Sequence, residues 1–234
     1  MVKLNELSLF FPAYNEEANL ENTVEKAIPV LKKVAEKYEL IIVNDGSKDR
    51  TGEAAAKLAK KYPFVKVITH NPNQGYGATL RTGFYNSKYD WIVTVDSDGQ
   101  FDFTEVGKLI EKSKEADIVI GYRLNRQDPT VRKVFGWGWT VLTNVLLGIK
   151  VHDVDCAFKL VNKKVIETIP KLQSTRGGMI SPELLGRAHK AGFKIVEVGV
   201  HHYPRKEGKQ TGADFKVIFK SFADLGKLWW SMIK

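Results

Sequence analysis

The sequence has 234 residues, of which 43% are hydrophobic and 11% aromatic, a composition that predicts a folded globular chain and excludes a disordered one. Its 36 lysine and arginine residues exceed the 27 aspartate and glutamate residues. The resulting net charge of +9 favours an anionic partner such as nucleic acid, a lipid surface or a phosphorylated ligand. The single cysteine, Cys156, excludes an intramolecular disulfide and a cysteine cluster for a metal, which fits a reducing cytosolic compartment.

Five short apolar segments in the first half of the chain predict β-strands. They are residues 7–11, 40–45, 65–69, 91–96 and 117–121. The segments between them predict helices at 20–31, 51–62 and 103–114, with a kink or break of the first at Pro29. Continuous apolar strands that alternate with helices are typical of an α/β fold, so we expect a Rossmann-like, mostly parallel sheet flanked by helices.

The pattern changes after residue 122. A basic stretch leads into the longest charge-free stretch, residues 134–149, which as a helix of ~1.5 Å per residue is about 24 Å long and too short for the ~30 Å core of a bilayer. We expect either a core helix or a helix in a membrane interface, and Trp137 and Trp139 favour the interface. Further segments predict a strand at 157–161, a helix at 181–191 and a strand at 193–203.

Residues 215–233 form the last predicted helix. Apolar side chains recur there at three- and four-residue spacing with lysines on the other side, which predicts a basic amphipathic helix that packs on the sheet or lies on a membrane. Residues 1–17 lack the basic, apolar and small-residue parts of a signal peptide. Since no predicted helix is long and apolar enough to span a bilayer, we expect either a peripheral enzyme or a catalytic domain separated from its anchor.

Acidic residues follow the predicted parallel strands at the point where each strand ends. Asp96 and Asp98 end the fourth strand with one residue between them, and Asp45 ends the second. Ligands of such sheets bind at the carboxyl ends of the strands. Two carboxylates at this spacing can hold one Mg²⁺ or Mn²⁺ ion that also binds a pyrophosphate. The alternatives are a polar turn at the pair and, for Asp45, a cap of the following helix.

Five motifs in this order and spacing carry a resemblance to a known family. They are FPAYNEE, VNDGSKDRT, NQGYGATLRTG, VDSDGQ and DCAFKL, and the resemblance extends from about residue 7 to residue 228. The sequence resembles the family 2 inverting glycosyltransferases, in the branch of dolichyl-phosphate mannose synthase and the polyprenyl-phosphate glucosyltransferases. The resemblance implies a glycosyltransferase A-type fold, Mg²⁺ or Mn²⁺ as cofactor, and GDP-mannose or a UDP-sugar as donor.

The same resemblance implies an organisation of the chain and a set of donor-site residues. We expect one domain, 1–234, with a nucleotide-sugar-binding half at 1–122, an acceptor-side half at 123–211 and the amphipathic helix at 212–234. The implied nucleotide-sugar site comprises Pro12, Ala13, Tyr14, Glu16, Asp45, Gly75, Asp96, Asp98, Gln100 and Lys206. Within it, Asp45 would contact the nucleoside and Asp96 the ribose or the metal. Asp98 and Gln100 would hold the metal and the diphosphate of the donor. Tyr76 stands where the family usually has lysine.

The acceptor is predicted from the nucleophile it must supply. Relatives that glycosylate a hydroxyl have a late acidic pair as general base, and the comparable stretch here has only Glu183. A phosphomonoester, with a second pKa of about 6, is already anionic at pH 7 and needs cations rather than a base. We therefore expect a dolichyl or undecaprenyl phosphate acceptor that attacks the sugar in one in-line step. The resemblance gives catalytic roles to Arg123, Arg132 and Arg205 together with Asp98.

Three other functions account for part of the sequence. A family 2 enzyme acting on a saccharide or protein hydroxyl would need Glu183 or Asp155 as its base. A basic module without enzymatic activity, binding nucleic acid or membranes, leaves Asp45, Asp96 and Asp98 unexplained because acids at the centre of a binding face repel polyanions. A sugar-phosphate nucleotidyltransferase would have a glycine-rich basic loop after the first strand. Here that strand is followed by the sequence Pro-Ala-Tyr-Asn instead. We expect a cytoplasmic enzyme, peripheral at the inner face of the membrane, with no nucleic-acid partner.

Overall fold

The computed structural model of the protein describes residues 2–124, 130–175, 177–205 and 215–233. Two of the predicted site residues fall outside this description. Lys206 lies beyond the described ranges, and Arg132 is described only by its backbone.

Strands and helices alternate along the first half of the chain, as the spacing of the apolar segments predicts. The strands are β1 (Leu4–Ala13), β2 (Ala35–Asn44), β3 (Val65–Thr69), β4 (Trp91–Thr94), β5 (Ile118–Leu124), β6 (Lys159–Asn162) and β7 (Ile195–His201). The α-helices are α1 (Leu20–Val34), α2 (Thr51–Lys61), α3 (Tyr76–Asn86), α4 (Val106–Lys112), α5 (Thr130–Leu147), α6 (Lys163–Thr168), α7 (Ile180–Lys190) and α8 (Phe215–Ile233).

The strands of the described ranges form one sheet in the order β3-β2-β1-β4-β6-β5-β7. Strands β1 to β4 pair in parallel, with Leu9 beside Leu40 on one side and Val93 on the other. β6 runs antiparallel to both β4 and β5, so the sheet is mixed around one strand. The predicted α/β fold with a mostly parallel sheet is confirmed.

Two apolar layers cover the two faces of the sheet. On one face, Leu20 and Leu31 of α1, Leu58 of α2 and Leu109 of α4 belong to one buried cluster. On the other face, a second cluster takes its side chains from α3 and α5 to α8. Burial on both faces explains why the central strands read as continuous apolar runs rather than alternating ones.

The structure corrects the prediction for α1, which continues through Pro29. The prediction of a break there is wrong. Proline costs a helix interior ~3 kcal/mol because it removes one hydrogen bond and crowds the preceding turn. Here Ile28 and Leu31 are buried on either side of the proline, and packing of this apolar face on the sheet outweighs that cost.

Helix α3 was not predicted from the sequence. It contains Gly77 and Gly83, which lower helix propensity and obscure the apolar spacing. Gly83 is needed where it lies, because a Cβ atom there would come within 2.3 Å of the Phe10 ring. Close contact between α3 and β1 therefore selects a residue that local sequence rules count against a helix.

The charge-free stretch forms most of α5. Trp139 is buried and packs edge-on against Phe222 of α8, with 5.5 Å between the ring centroids. Trp139 is thus part of the core and does not have the interfacial position expected for it. Trp137, by contrast, is 69% exposed. None of the helices in the described ranges combines the length and apolar character needed to cross a bilayer.

Candidate functional site

The carboxyl ends of β1, β2 and β4 meet at one edge of the sheet, where short hydrogen bonds join the loops that follow them. Ser97 donates its hydroxyl to the carbonyl of Pro12 at 2.7 Å. The backbone N–H of Asp45 donates to the carbonyl of Ala13 at 2.9 Å. The structure therefore brings together the acidic strand ends of the donor half that the sequence singled out, with Tyr14 next in line after β1.

Asp45 is buried, and both of its carboxylate oxygens have partners in the protein. Oδ1 lies 2.7 Å from Nδ1 of His70 and accepts from the N–H of Gln74, while Oδ2 accepts from the N–H of Gly75 at 2.8 Å. Asp45 thus fixes the loop after β3. The alternative that it caps α2 is wrong, because Asp49 accepts from the backbone at the start of that helix. A contact from Asp45 to a nucleoside stays a prediction.

His70, which is not among the predicted site residues, also holds this loop in place. It is buried, and its second ring nitrogen, Nε2, lies 2.9 Å from the hydroxyl of Thr82 on α3. The side chains of Asp45, His70 and Thr82 therefore tie β2 to α3 across the predicted nucleotide site. Only the folded arrangement reveals this, because Asp45 and His70 are 25 residues apart.

The carboxylate pair lies beside these loops. The hydroxyl of Tyr76 donates to Oδ1 of Asp96 at 3.0 Å, and Oδ1 of Asp98 accepts from the backbone N–H of Gln100 at 3.1 Å. Burial and the neighbouring charge of Asp98 raise the pKa of Asp96. A bound cation would favour the ionised form of Asp96 and offset the repulsion from its neighbour.

Arg205 bridges the first and fourth strand ends. Its guanidinium lies 2.5 Å from Oε1 of Glu16 and 3.5 Å from Oδ2 of Asp98. The other carboxylate oxygen of Glu16 accepts from the amide of Asn19 at 2.8 Å. Glu16 therefore holds the guanidinium of Arg205 beside Asp98. Burial raises the pKa of Glu16, although Asn19 and Arg205 oppose that shift.

The carboxylates of this site fit a metal ion that takes some of its ligands from the protein and the others from the substrate. Within the described residues, no group of three or more His, Cys, Asp or Glu side chains is placed to hold an ion. Mg²⁺ is commonly held by one or two carboxylates together with substrate phosphates, and Asp96 and Asp98 supply that number. The amide nitrogen of buried Gln100 donates to the carbonyl of Tyr203 at 2.9 Å, so a metal contact by this residue falls to its Oε1.

The acceptor-side half contributes Arg123 at the end of β5. Its Nε and Nη2 donate to the two oxygens of Asp153 at 2.6 and 2.8 Å, which is a bidentate and largely buried pair. The two residues line a cavity of about 360 Å³, together with Lys133 and Trp137 of α5. The predicted partner Arg132 precedes Lys133 in the same helix. A fixed guanidinium in the wall of a cavity can bind an anion with defined geometry.

A buried lysine that the sequence analysis did not single out, Lys159, lies under this edge close to Asp155. Lys159 is fully buried and donates to the carbonyl of Cys156. Burial and the charge of Asp153 raise the pKa of Asp155 to about 6, while burial lowers the pKa of Lys159. The position of Lys159 follows from β6, which sets this residue opposite Thr94 in β4. The sequence of one apolar segment does not reveal which strand it pairs with. The position of Lys159 in the sheet therefore could not be predicted from the sequence.

Glu183, one of two residues considered as a general base, has a structural role. Its buried carboxylate accepts from the N–H groups of Gln173 and Ser174 at 2.9 and 2.8 Å and from the Arg187 side chain at 2.9 Å. These contacts fix the segment that follows α6. Of the two candidates for a base, Asp155 is the one whose charge acts on Tyr76 at the carboxylate pair.

We expect Glu183→Ala to lower the free energy of unfolding by about 3–5 kcal/mol, since it leaves Arg187 and two backbone donors without their partner. Urea denaturation measures this loss. Glu167→Ala is the matched control, because Glu167 is 64% exposed and its 3.8 Å contact with Lys163 contributes ~0.5 kcal/mol or less. A stable Glu183→Ala protein without activity would contradict the structural role and restore Glu183 as a base.

Comparison with known proteins places this geometry in a family. Residues 8–169 match glycosyl transferase family 2. A dolichyl-phosphate beta-glucosyltransferase of Trichomonas vaginalis is 34% identical over 209 residues, covering 83% of this chain and 64% of the relative. A dodecaprenyl-phosphate galacturonate synthase of Rhizobium johnstonii is 28% identical over 207 residues, covering 87% of this chain and 60% of the relative. The chain thus spans a little under two thirds of the length of these relatives.

A solved structure agrees in fold. Glucosyl-3-phosphoglycerate synthase of Mycobacterium tuberculosis, crystallised with Mn²⁺, UDP-glucose and phosphoglyceric acid, has a TM-score of 0.75 at 17% identity, covering 97% of this chain and 80% of that one. At that identity the likeness concerns the fold. Together with the match over residues 8–169, it confirms the resemblance that the five motifs predicted. The chain belongs to glycosyl transferase family 2.

Proposed function

We propose that this protein transfers a sugar, with inversion, from a nucleotide sugar to a polyprenyl phosphate, with Mg²⁺ or Mn²⁺ as cofactor. The observation that carries the proposal is Arg123, fixed by Asp153 in the wall of a cavity on the acceptor side. An anionic acceptor needs such a cation, whereas a hydroxyl acceptor needs a base. The names of the two relatives, which contain dolichyl phosphate and dodecaprenyl phosphate, support the choice of acceptor.

On the donor side, the 1–122 half binds GDP-mannose or a UDP-sugar across the strand ends. Asp96 and Asp98, with Oε1 of Gln100, would hold the cation that binds the diphosphate of the donor. The bound metal supplies Lewis-acid stabilisation of the charge that grows on the leaving nucleoside diphosphate. Glu16 keeps the guanidinium of Arg205 next to Asp98, where it adds a second positive charge for the same leaving group.

On the acceptor side, the 123–211 half binds the phosphate of the lipid. Arg123 meets the phosphate with a guanidinium whose orientation Asp153 has already set, so little side-chain freedom is lost on binding. Lys133, in the same cavity wall, adds charge. The phosphate oxygen then attacks the anomeric carbon from the side opposite the diphosphate, and no proton has to be removed from the nucleophile.

Exposed apolar side chains on two helices that contact each other support the proposal of peripheral contact with a membrane. α5 exposes Val134, Trp137 and Val145, and α8 exposes Trp229 and Trp230. The two helices contact each other through their buried sides, so these residues lie on neighbouring elements. Tryptophan favours the boundary between lipid and water, and a lipid acceptor has to be reached from that boundary.

The test is a transfer assay with the protein, Mn²⁺ or Mg²⁺, a panel of labelled nucleotide sugars, and a polyprenyl phosphate in anionic vesicles. We expect label in the organic phase from one donor, loss of that label with EDTA, and protein in the vesicle pellet. Donor hydrolysis without lipid labelling would overturn the acceptor assignment and direct attention to Asp155 and hydroxyl acceptors. Failure to consume any donor would overturn the proposed function.

A further inference from the structure

A tyrosine hydroxyl lies where the donor and acceptor halves meet. Tyr76, the first residue of α3, donates its hydroxyl to Oδ1 of Asp96 at 3.0 Å. The N–H of Ala78, two residues further along α3, donates to the carbonyl of Thr175 in the acceptor-side half at 3.1 Å. The start of α3 therefore joins the predicted metal pair to the acceptor-side half.

The backbone around Tyr76 is fixed from both sides. The preceding Gly75 has a φ of 96°, which favours glycine, and its N–H donates to Asp45 at 2.8 Å. The following Gly77 packs so closely that a Cβ atom would lie 2.7 Å from the carbonyl of Ser174. A side chain on such a backbone keeps its place without a ligand and is suited to discriminate between ligands.

The proposed reaction indicates which part of the substrate would lie beside the Tyr76 hydroxyl. In the proposed reaction the sugar would lie between the donor diphosphate, on the side of Asp96 and Asp98, and the nucleophile, on the side of Arg123. Tyr76 exposes 37% of its surface, and its hydroxyl is held at Asp96. An aromatic ring with one polar end suits a pyranose, which presents both C–H groups and hydroxyls.

We propose that Tyr76 contacts the transferred sugar and sets the preference of the enzyme among nucleotide sugars. The inference rests on the proposed function. Because the Tyr76 hydroxyl donates its hydrogen bond to Asp96, its oxygen is left to accept one from a sugar hydroxyl. Sugars that place no hydroxyl there are disfavoured. Tyr76 thus serves the sugar rather than the nucleotide.

The test compares binding of a nucleoside diphosphate with binding of its sugar conjugate, using UDP against UDP-glucose and GDP against GDP-mannose. Calorimetry in Mn²⁺ gives the ratio of two Kd values, that of the nucleoside diphosphate divided by that of its sugar conjugate. We measure this ratio for the unmodified protein and for Tyr76→Phe. We expect this ratio to fall about tenfold for the accepted donor, as for loss of one hydrogen bond to a sugar. The matched control is Tyr85→Phe, which removes another hydroxyl from the same helix, one bonded to the N–H of Leu172 at 2.8 Å.

The outcomes separate the two proposals. An unchanged ratio in Tyr76→Phe, or an equal loss of affinity for both ligands, overturns the sugar contact while leaving the proposed function intact. If the unmodified protein binds no nucleotide and no nucleotide sugar, the proposed function fails and the inference with it. As a second readout, the kcat/KM ratio of UDP-glucose to UDP-galactose, or of GDP-mannose to GDP-glucose, should change at least fivefold in Tyr76→Phe and less than twofold in Tyr85→Phe.

Discussion

Asp98→Asn is expected to lower the rate of sugar transfer by about 1,000-fold or more, which corresponds to about 4 kcal/mol of transition-state stabilisation. Asparagine preserves the side-chain volume and an oxygen that can accept from Gln100 N–H, as Oδ1 does at 3.1 Å. It removes the negative charge that would hold the cation and that lies 3.5 Å from Arg205. Initial rates of lipid labelling measure the loss, and thermal melting followed by circular dichroism should show a folded protein.

The matched control is Asp102→Asn, which makes the same change of charge four residues further along the chain. Asp102 is exposed to solvent and accepts from the N–H of Thr104 at 2.9 Å, a bond that an asparagine oxygen also makes. We expect its transfer rate to stay within twofold. An Asp98→Asn protein that retains a tenth of the activity would mean that the metal and diphosphate are held elsewhere.

Much of the fold could be read from the sequence because the sheet is buried on both faces. A parallel strand covered on both faces is apolar along its buried part, and the segment predicted at 40–45 coincides with the buried end of β2, where Leu40 and Val43 are fully buried. The prediction failed where tertiary contact overrides local preference, as at Gly83 in α3. It also could not give the antiparallel direction of β6, since strand direction is set by partners distant in the sequence.

The candidate site also contains residues that the sequence predicted and residues that it could not predict. Asp45, Asp96 and Asp98 could be found because the strand-end rule needs only the order of strands and helices. The side chains that orient the site could not, since their partners are brought close by folding. Glu16 and Arg205 are 189 residues apart in the sequence, and Arg123 and Asp153 are 30 apart. Motif spacing carries no information about which cation meets which carboxylate across such distances.

Arg123→Ala is expected to lower transfer to polyprenyl phosphate about 100-fold while leaving the affinity for the nucleotide sugar within twofold. The substitution removes the cation that faces the acceptor and leaves the buried Asp153 without its bidentate partner, a combined loss of ~2–5 kcal/mol. Kinetics with either substrate varied should place the defect in the KM for the lipid and in kcat. Calorimetry with the donor should show no corresponding change.

Arg123→Lys separates charge from geometry at the same position. Lysine keeps the positive charge but cannot make two parallel hydrogen bonds to Asp153, so we expect an intermediate loss of about tenfold. The control is Arg50→Lys, the same change at a side chain that is 79% exposed, for which we expect no effect. Equal losses in Arg123→Ala and Arg123→Lys would show that the fork geometry matters more than charge. Loss of donor binding in either variant would move Arg123 to the donor side, because a residue that meets only the acceptor phosphate leaves donor affinity unchanged.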